Sequence, residues 1–219
     1  MLRADIDRYL FEVERGRSGR TGLVARLRVL MFYPGLWAIV SYRVTHHAFG
    51  LRPRRLGHSC GLLAQLWQRL VLAQTGIEID YRAHVGPGLM IPHSGFIVIG
   101  PVRIGRHCTI SQGTTIGHST TEESSDDWAK PVLEDRIWVG PGAVIAGGIH
   151  VGADAVVGAN SVLTRDVPPG GVVLGVPARL TARTGSFAQV AYRGMDDDPE
   201  RRAARLALDA PDGQVTTPS

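Results

Sequence analysis

The run from Leu133 to Leu163, LEDRIW-VGPGAV-IAGGIH-VGADAV-VGANSV-L, decides the fold. Its aliphatic residues Leu133, Val139, Ile145, Val151, Val157 and Leu163 stand six apart without a break, and glycine follows directly at Val139, Val151 and Val157. A period of six is neither helical nor a simple strand alternation. Three short strands joined by three corners, however, close one coil in about 18 residues. Each aliphatic residue then points inward and stacks on its equivalents in the coils above and below, while glycine and asparagine take the positive-φ corners. One hexad alone reads as well as a buried strand beside a glycine turn. A run of them in register reads as a parallel β-helix.

The same spacing appears upstream at Ile79, Val85, Ile91 and Ile97, and after a one-residue slip at Ile104, Ile110 and Ile116. Small residues near the fifth hexad position, Ala83, Cys108, Thr114, Ala143, Ala155 and Ser161, suit a narrow interior. Residues 75–180 therefore form the β-helix, interrupted at 117–131 by a polar loop of the kind that solenoids use for binding. Ahead of it, residues 1–74 carry helical periodicity at Leu23, Leu27, Leu30 and Met31 and again at Leu62, Leu66, Leu70 and Leu72, with breakers from Gly50 to Gly57 between them. That predicts two or three short helices. Residues 181–219 read as a C-terminal tail, with a helix around Asp196 to Leu208 and a disordered end. The chain is thus mainly β with a short N-terminal helical region.

At 219 residues, 44% hydrophobic and 20% charged, the composition suits one soluble domain, and the 27 glycines follow no collagen period. The net charge of +4 comes from dispersed arginines, with Lys130 the only lysine, so no nucleic-acid partner is expected. The apolar stretch from Leu30 to Tyr42 is broken by Pro34 and Gly35 and falls short of the roughly 20 residues a membrane crossing needs, so membrane contact is not expected either. A charged, amphipathic start without an apolar signal core, and only two cysteines, Cys60 and Cys108, indicate the cytoplasm.

Three stretches carry a family resemblance. They are TGIEI (Thr75 to Ile79) with GPGLMIPH (Gly86 to His93); ISQGTTIG (Ile110 to Gly117); and GPGAVI (Gly140 to Ile145) with GANSV (Gly158 to Val162) and GVPAR (Gly175 to Arg179). Together they resemble the hexapeptide-repeat acyltransferases, and within these the serine O-acetyltransferases most. Tyr33 to Ala38 and Tyr42 to His46 resemble the end of that family's N-terminal helical domain, here shortened. The resemblance implies a left-handed β-helix, an exception to the usual right-handed crossover. It further implies a homotrimer with acetyl-CoA as co-substrate in the groove between neighbouring coils, and no metal.

Moving an acetyl group from a thioester to a hydroxyl needs a base for the hydroxyl proton and donors for the oxyanion. An imidazole with an ordinary pKa near 6.5 suits the first task. By resemblance His93 is the general base and Glu78 the carboxylate that orients it. In an ideal coil Glu78 stacks over Phe96, so the first coil must be irregular for the two to touch. Gly140, Pro141, Gly142 and Ala159 match positions that meet the pantetheine, and Gly117 and His118 match the neighbourhood of the thioester. The family's acceptor-binding acid and Arg-His pair are replaced here by Pro92, Ala129 and Lys130. Lys130 offers a carboxylate a point charge rather than a bidentate contact. The acceptor is then serine or a related hydroxy amino acid, with a sugar or a carrier-bound hydroxyl as the alternative. His84 and His107 read as coil-surface residues, and His46, His47 and His58 as structural or exposed ones.

Two other classes remain open at this stage. A γ-class carbonic anhydrase-like zinc protein would draw ligands from His84, His93 and His107, and a scaffold subunit would have no chemistry. The tail ends Gln214-Val-Thr-Thr-Pro-Ser219, whose polar last residue and Pro218 lead to the expectation of no stable complex with an O-acetylserine sulfhydrylase.

Overall fold

The computed structural model describes residues 1–15, 23–118 and 130–209. All thirteen hexad aliphatics, from Ile79 to Leu163, are buried, as are the small residues Ala83, Cys108, Thr114, Ala143, Ala155 and Ser161. They line the interior of a left-handed parallel β-helix with three faces. The first face stacks β1 (Ile77–Ile79), β3 (Ile97–Ile99), β6 (Thr115–Gly117), β9 (Val144–Ala146) and β12 (Val162–Leu163). The second stacks β2 (His84–Val85), β4 (Arg103–Ile104), β7 (Val132–Leu133) and β10 (His150–Val151). The third stacks β5 (Thr109–Ile110), β8 (Trp138–Val139), β11 (Val156–Val157) and β13 (Val172–Leu174), onto which β14 (Arg179–Ala182) folds back antiparallel. Isolated bridges at Met90 and Val167 complete five coils.

The later coils keep the ideal spacing, with Val144 on Val162 and Val132 on His150. The first coil does not. Ile79 pairs with Ile99 rather than Ile97, because Pro92 to Phe96 bulge at the corner before β3, where Gly95 and Phe96 have φ of 118° and 44°. Glu78 consequently pairs with Val98, not Phe96.

A β-helix leaves the outer edge of its first coil with unpaired backbone groups, which must find partners elsewhere. Here the helical region supplies them. It comprises α1 (Leu2–Arg15), α2 (Leu23–Phe32), α3 (Pro34–Phe49) and α4 (Arg54–Thr75). From α1, Asp5 accepts from the Gly88 and Leu89 amides, Tyr9 bonds both the amide and the carbonyl of Ile91 at 3.0 Å, and Arg8 donates to Gly88 and His107 carbonyls. From α3, Tyr42 donates to the Ala83 carbonyl and Arg43 to those of Val85 and Gly86, with Asp5 holding the guanidinium. Among the described residues the region therefore has four helices instead of two or three. The face α1 buries is Asp5, Arg8 and Tyr9, which apolar periodicity does not register. Pro34 divides α2 from α3, as its position in the apolar stretch suggests.

On the other side of α3, α4 packs through small residues: Gly61 lies so close that an added Cβ would sit 2.5 Å from the Phe49 ring. Its leucines at 62, 63, 66 and 70 face outward, each more than half exposed. The chain after β14 forms a strap over the corner between the second and third faces. Ser186 bonds the Asp154 and Arg136 carbonyls, Tyr192 stacks on His107 with ring centroids 3.9 Å apart, and Arg193 reaches Asp7 and Glu14 of α1. Beneath it, Arg136 and Asp154 form a buried bidentate ion pair at 2.8 and 2.9 Å. The strap ends in α5 (Pro199–Asp209). Most of the expected loop, 119–129, and the tail from 210 on lie outside the described residues. Among the described residues no helix is long and apolar enough to cross a membrane.

Candidate functional site

With one corner closed by the strap, two are left uncovered by the described residues, and the candidate residues divide between them. The corner from the third face to the first is a ladder of backbone hydrogen bonds. Gly95 donates to Thr75, Gly113 to Gly95, Gly142 to Gln112 and Asn160 to Pro141, each between 2.8 and 3.0 Å. His93, exposed, stands on this corner between the first and second coils, and Gly140, Pro141, Gly142 and the exposed Ala159 continue the column towards the fifth. The two glycines are required by the stacking itself. A Cβ on Gly140 would lie 2.7 Å from the Ala159 amide, and Gly142 has φ of +69° with Asn160 Oδ1 2.2 Å from its would-be Cβ.

The corner from the first face to the second carries the loop. Gly117, His118 and Lys130 line a cavity of about 630 Å³ together with Asp80, Arg82 and Val98. Among the described residues nothing lies within 4 Å of a Cβ built on Gly117. Asp80 and Arg82 form a local pair: Arg82 donates through Nε (3.0 Å), Nη2 (2.7 Å) and its backbone amide (2.8 Å) to the Asp80 carboxylate. Burial raises the Asp80 carboxyl, but the hydrogen bonds from Arg82 outweigh it and hold the group below the usual carboxylate range.

The structure thus brings Gly117, His118 and Lys130 together, and His93 with Gly140, Pro141, Gly142, Ala159 and the adjoining Pro92, on opposite edges of the first face. A strand of three residues spans about 10 Å, so the two sets do not share one pocket within a chain. Glu78 points outward from β1 between them. It faces Arg69 of α4, Oε1 to Nη1 at 3.7 Å, and no hydrogen bond or ion pair of the described residues joins it to His93. Sequence reasoning passed over Asp80 and Arg82, whose only signal is an acid and a base two residues apart at a coil corner, a pattern usual in solvated turns. Of the zinc candidates, His84 lies on the second face, His93 on one open corner and His107 under the strap. Among the described residues no three His, Cys, Asp or Glu side chains cluster as metal ligands.

Residues 130–165 match the family model for the bacterial transferase hexapeptide (six repeats). A serine acetyltransferase of Synechococcus elongatus is 37% identical over 201 residues, covering 90% of this chain and 75% of the relative. Among solved structures, the serine acetyltransferase of Neisseria gonorrhoeae in complex with serine matches with a TM-score of 0.65 at 28% identity, over 81% of this chain and 68% of that one. The serine acetyltransferase of Brucella abortus in complex with coenzyme A matches with a TM-score of 0.68 at 25% identity, over 84% and 67%.

Proposed function

Because this chain belongs to the serine acetyltransferase family, we propose that it transfers the acetyl group of acetyl-CoA to the hydroxyl of serine, with His93 as general base, at a site shared by two chains. The observation that carries the shared site is the division of the candidate residues between the two corners that the strap leaves open. A heterologous interface joins one patch to a different patch on the next copy, and with threefold rotation it closes into a ring. In such a homotrimer the His93 edge of one chain faces the loop edge of its neighbour three times over. The outward leucines of α4, an exposed apolar stripe, support assembly of this kind.

Acetyl-CoA supplies a thioester whose carbonyl carbon is open to attack. The exposed Ala159 and the ladder below His93 offer a shallow, small-residue channel for its pantetheine, and Gly117, with no described atom within 4 Å of its would-be Cβ, suits the acyl end. His93 accepts the hydroxyl proton as the serine oxygen attacks, then gives a proton to the departing thiolate. Glu78 serves by charge, stabilising the imidazolium across the face rather than by direct contact. We place the reaction in the cytoplasm, in keeping with two free cysteines of which Cys108 is buried inside the helix. The test is thiol release from acetyl-CoA with L-serine, sugars and related hydroxy amino acids as acceptors, with O-acetylserine identified as product. Turnover with a sugar in preference to serine would overturn the reading.

A further inference from the structure

We propose that Arg82, held in place by Asp80, grips the carboxylate of the acceptor amino acid, with Lys130 as the second cation. The inference rests on the acetyl-transfer reading and names the residues that select its acceptor. It starts from the cavity at the loop corner, which Asp80, Arg82 and Lys130 line together. Asp80 is already saturated by Arg82, which gives it Nε, Nη2 and the backbone amide. Those bonds use one edge of the guanidinium and fix its plane. The Nη1–Nη2 edge is left for a second carboxylate in the bidentate geometry that arginine favours. The side chain is 62% exposed, so that edge is accessible. With one carboxylate neutralising one of two cations, the described lining is net positive and suits an anion.

Position along the helix axis makes the anion the acceptor. The pantetheine column runs from Gly140 to Ala159, at the third to fifth coils, whereas Asp80 and Arg82 sit on the first coil, bonded to the second through the Asp80 amide and the Ile99 carbonyl at 2.8 Å. His93 lies between these levels. Adjacent coils are about 4.8 Å apart, so the thioester approaches the histidine from one side and the clamp stands less than one coil beyond it on the other. A small amino acid held by its carboxylate there presents its hydroxyl back towards the base, which is the positioning that turns binding into rate.

The test compares L-serine with L-serinamide, which keeps the hydroxyl and amine but lacks the carboxylate. Wild-type protein should show a KM for serinamide about 10- to 100-fold above that for serine, the scale of a charge-assisted contact. Arg82→Ala should raise the serine KM by a similar factor, leave the acetyl-CoA KM unchanged and abolish the discrimination. Arg82→Lys should recover it only in part, and Asp80→Asn should raise the serine KM less than Arg82→Ala. An unchanged serine KM in Arg82→Ala, or equal use of serinamide by the wild type, would overturn the clamp while serine acetylation stood. If an Arg82 variant failed to fold, the wild-type comparison of the two acceptors would decide alone. Absence of wild-type turnover with serine would remove the acetyl-transfer reading, and the clamp with it.

Discussion

His93 stands exposed on an open corner, held by the backbone ladder of its coil. His93→Ala should cut kcat by about two to four orders of magnitude, the usual scale for a positioned base, with the fold unchanged by circular dichroism. Glu78→Gln should lose less, since Glu78 faces Arg69 and, among the described residues, makes no hydrogen bond or ion pair to His93. For the acetyl-CoA channel, Ala159→Trp is the discriminating variant: its side chain is exposed, so a bulky ring should raise the acetyl-CoA KM without disturbing the coil. A substitution at Gly142 would not separate binding from folding, because the corner itself requires φ of +69° there. At this scale the sequence nominates His93 and the loop residues through their motifs, but it cannot reveal that Pro92 to Phe96 lengthen the first coil and carry Glu78 to Val98. Register in a short bulge is set by backbone angles at Gly95 and Phe96, and these leave no periodic trace.

Among the elements, the capping of the first coil is the most constrained. Gly35 of α3 approaches the backbone so closely that a Cβ would lie 2.1 Å from the Ile91 carbonyl oxygen. Gly35→Ala should therefore destabilise the protein by about 1–3 kcal/mol or more, as overpacking does, measurable as a lower urea midpoint with an unchanged slope. The hexads were fully legible because each places an aliphatic residue at a fixed interior position, and every one of them is buried. The helices were less so. The inner face of α1 is made of Asp5, Arg8 and Tyr9, chosen by the unpaired backbone they satisfy, while the leucine stripe of α4 faces away from its own chain. Apolar periodicity reports that a helix is one-sided, not which way its apolar side points.

In the whole molecule, the strap couples the last coil to the first helix and places His107 under Tyr192. Burial is the main cause of a His107 pKa held down to about 4, with Arg8 and Arg106 adding to it and Asp198 and Asp135 opposing. Between an ordinary value near 6.5 and about 4 the unfolded chain takes up a proton that the folded one refuses, so stability falls as pH drops through that window. The Tm should decline from pH 7 to pH 4.5, and His107→Asn, which keeps a residue tolerant of positive φ, should flatten the decline. The two remaining edges, in contrast, are where the proposed assembly would join. The central claim, that the reaction occurs between the His93 edge of one chain and the loop edge of the next, is tested by mixing two inactive variants, His93→Ala and Gly117→Trp. The second puts a bulky ring into the cavity, at a position where a Cβ meets no described atom within 4 Å. Each alone should be inactive with acetyl-CoA and L-serine. After dissociation and random 1:1 reassembly, about a quarter of the sites should pair an intact His93 edge with an intact loop edge and recover that share of wild-type turnover. No recovery in mixed trimers confirmed by mass would contradict a site shared between chains.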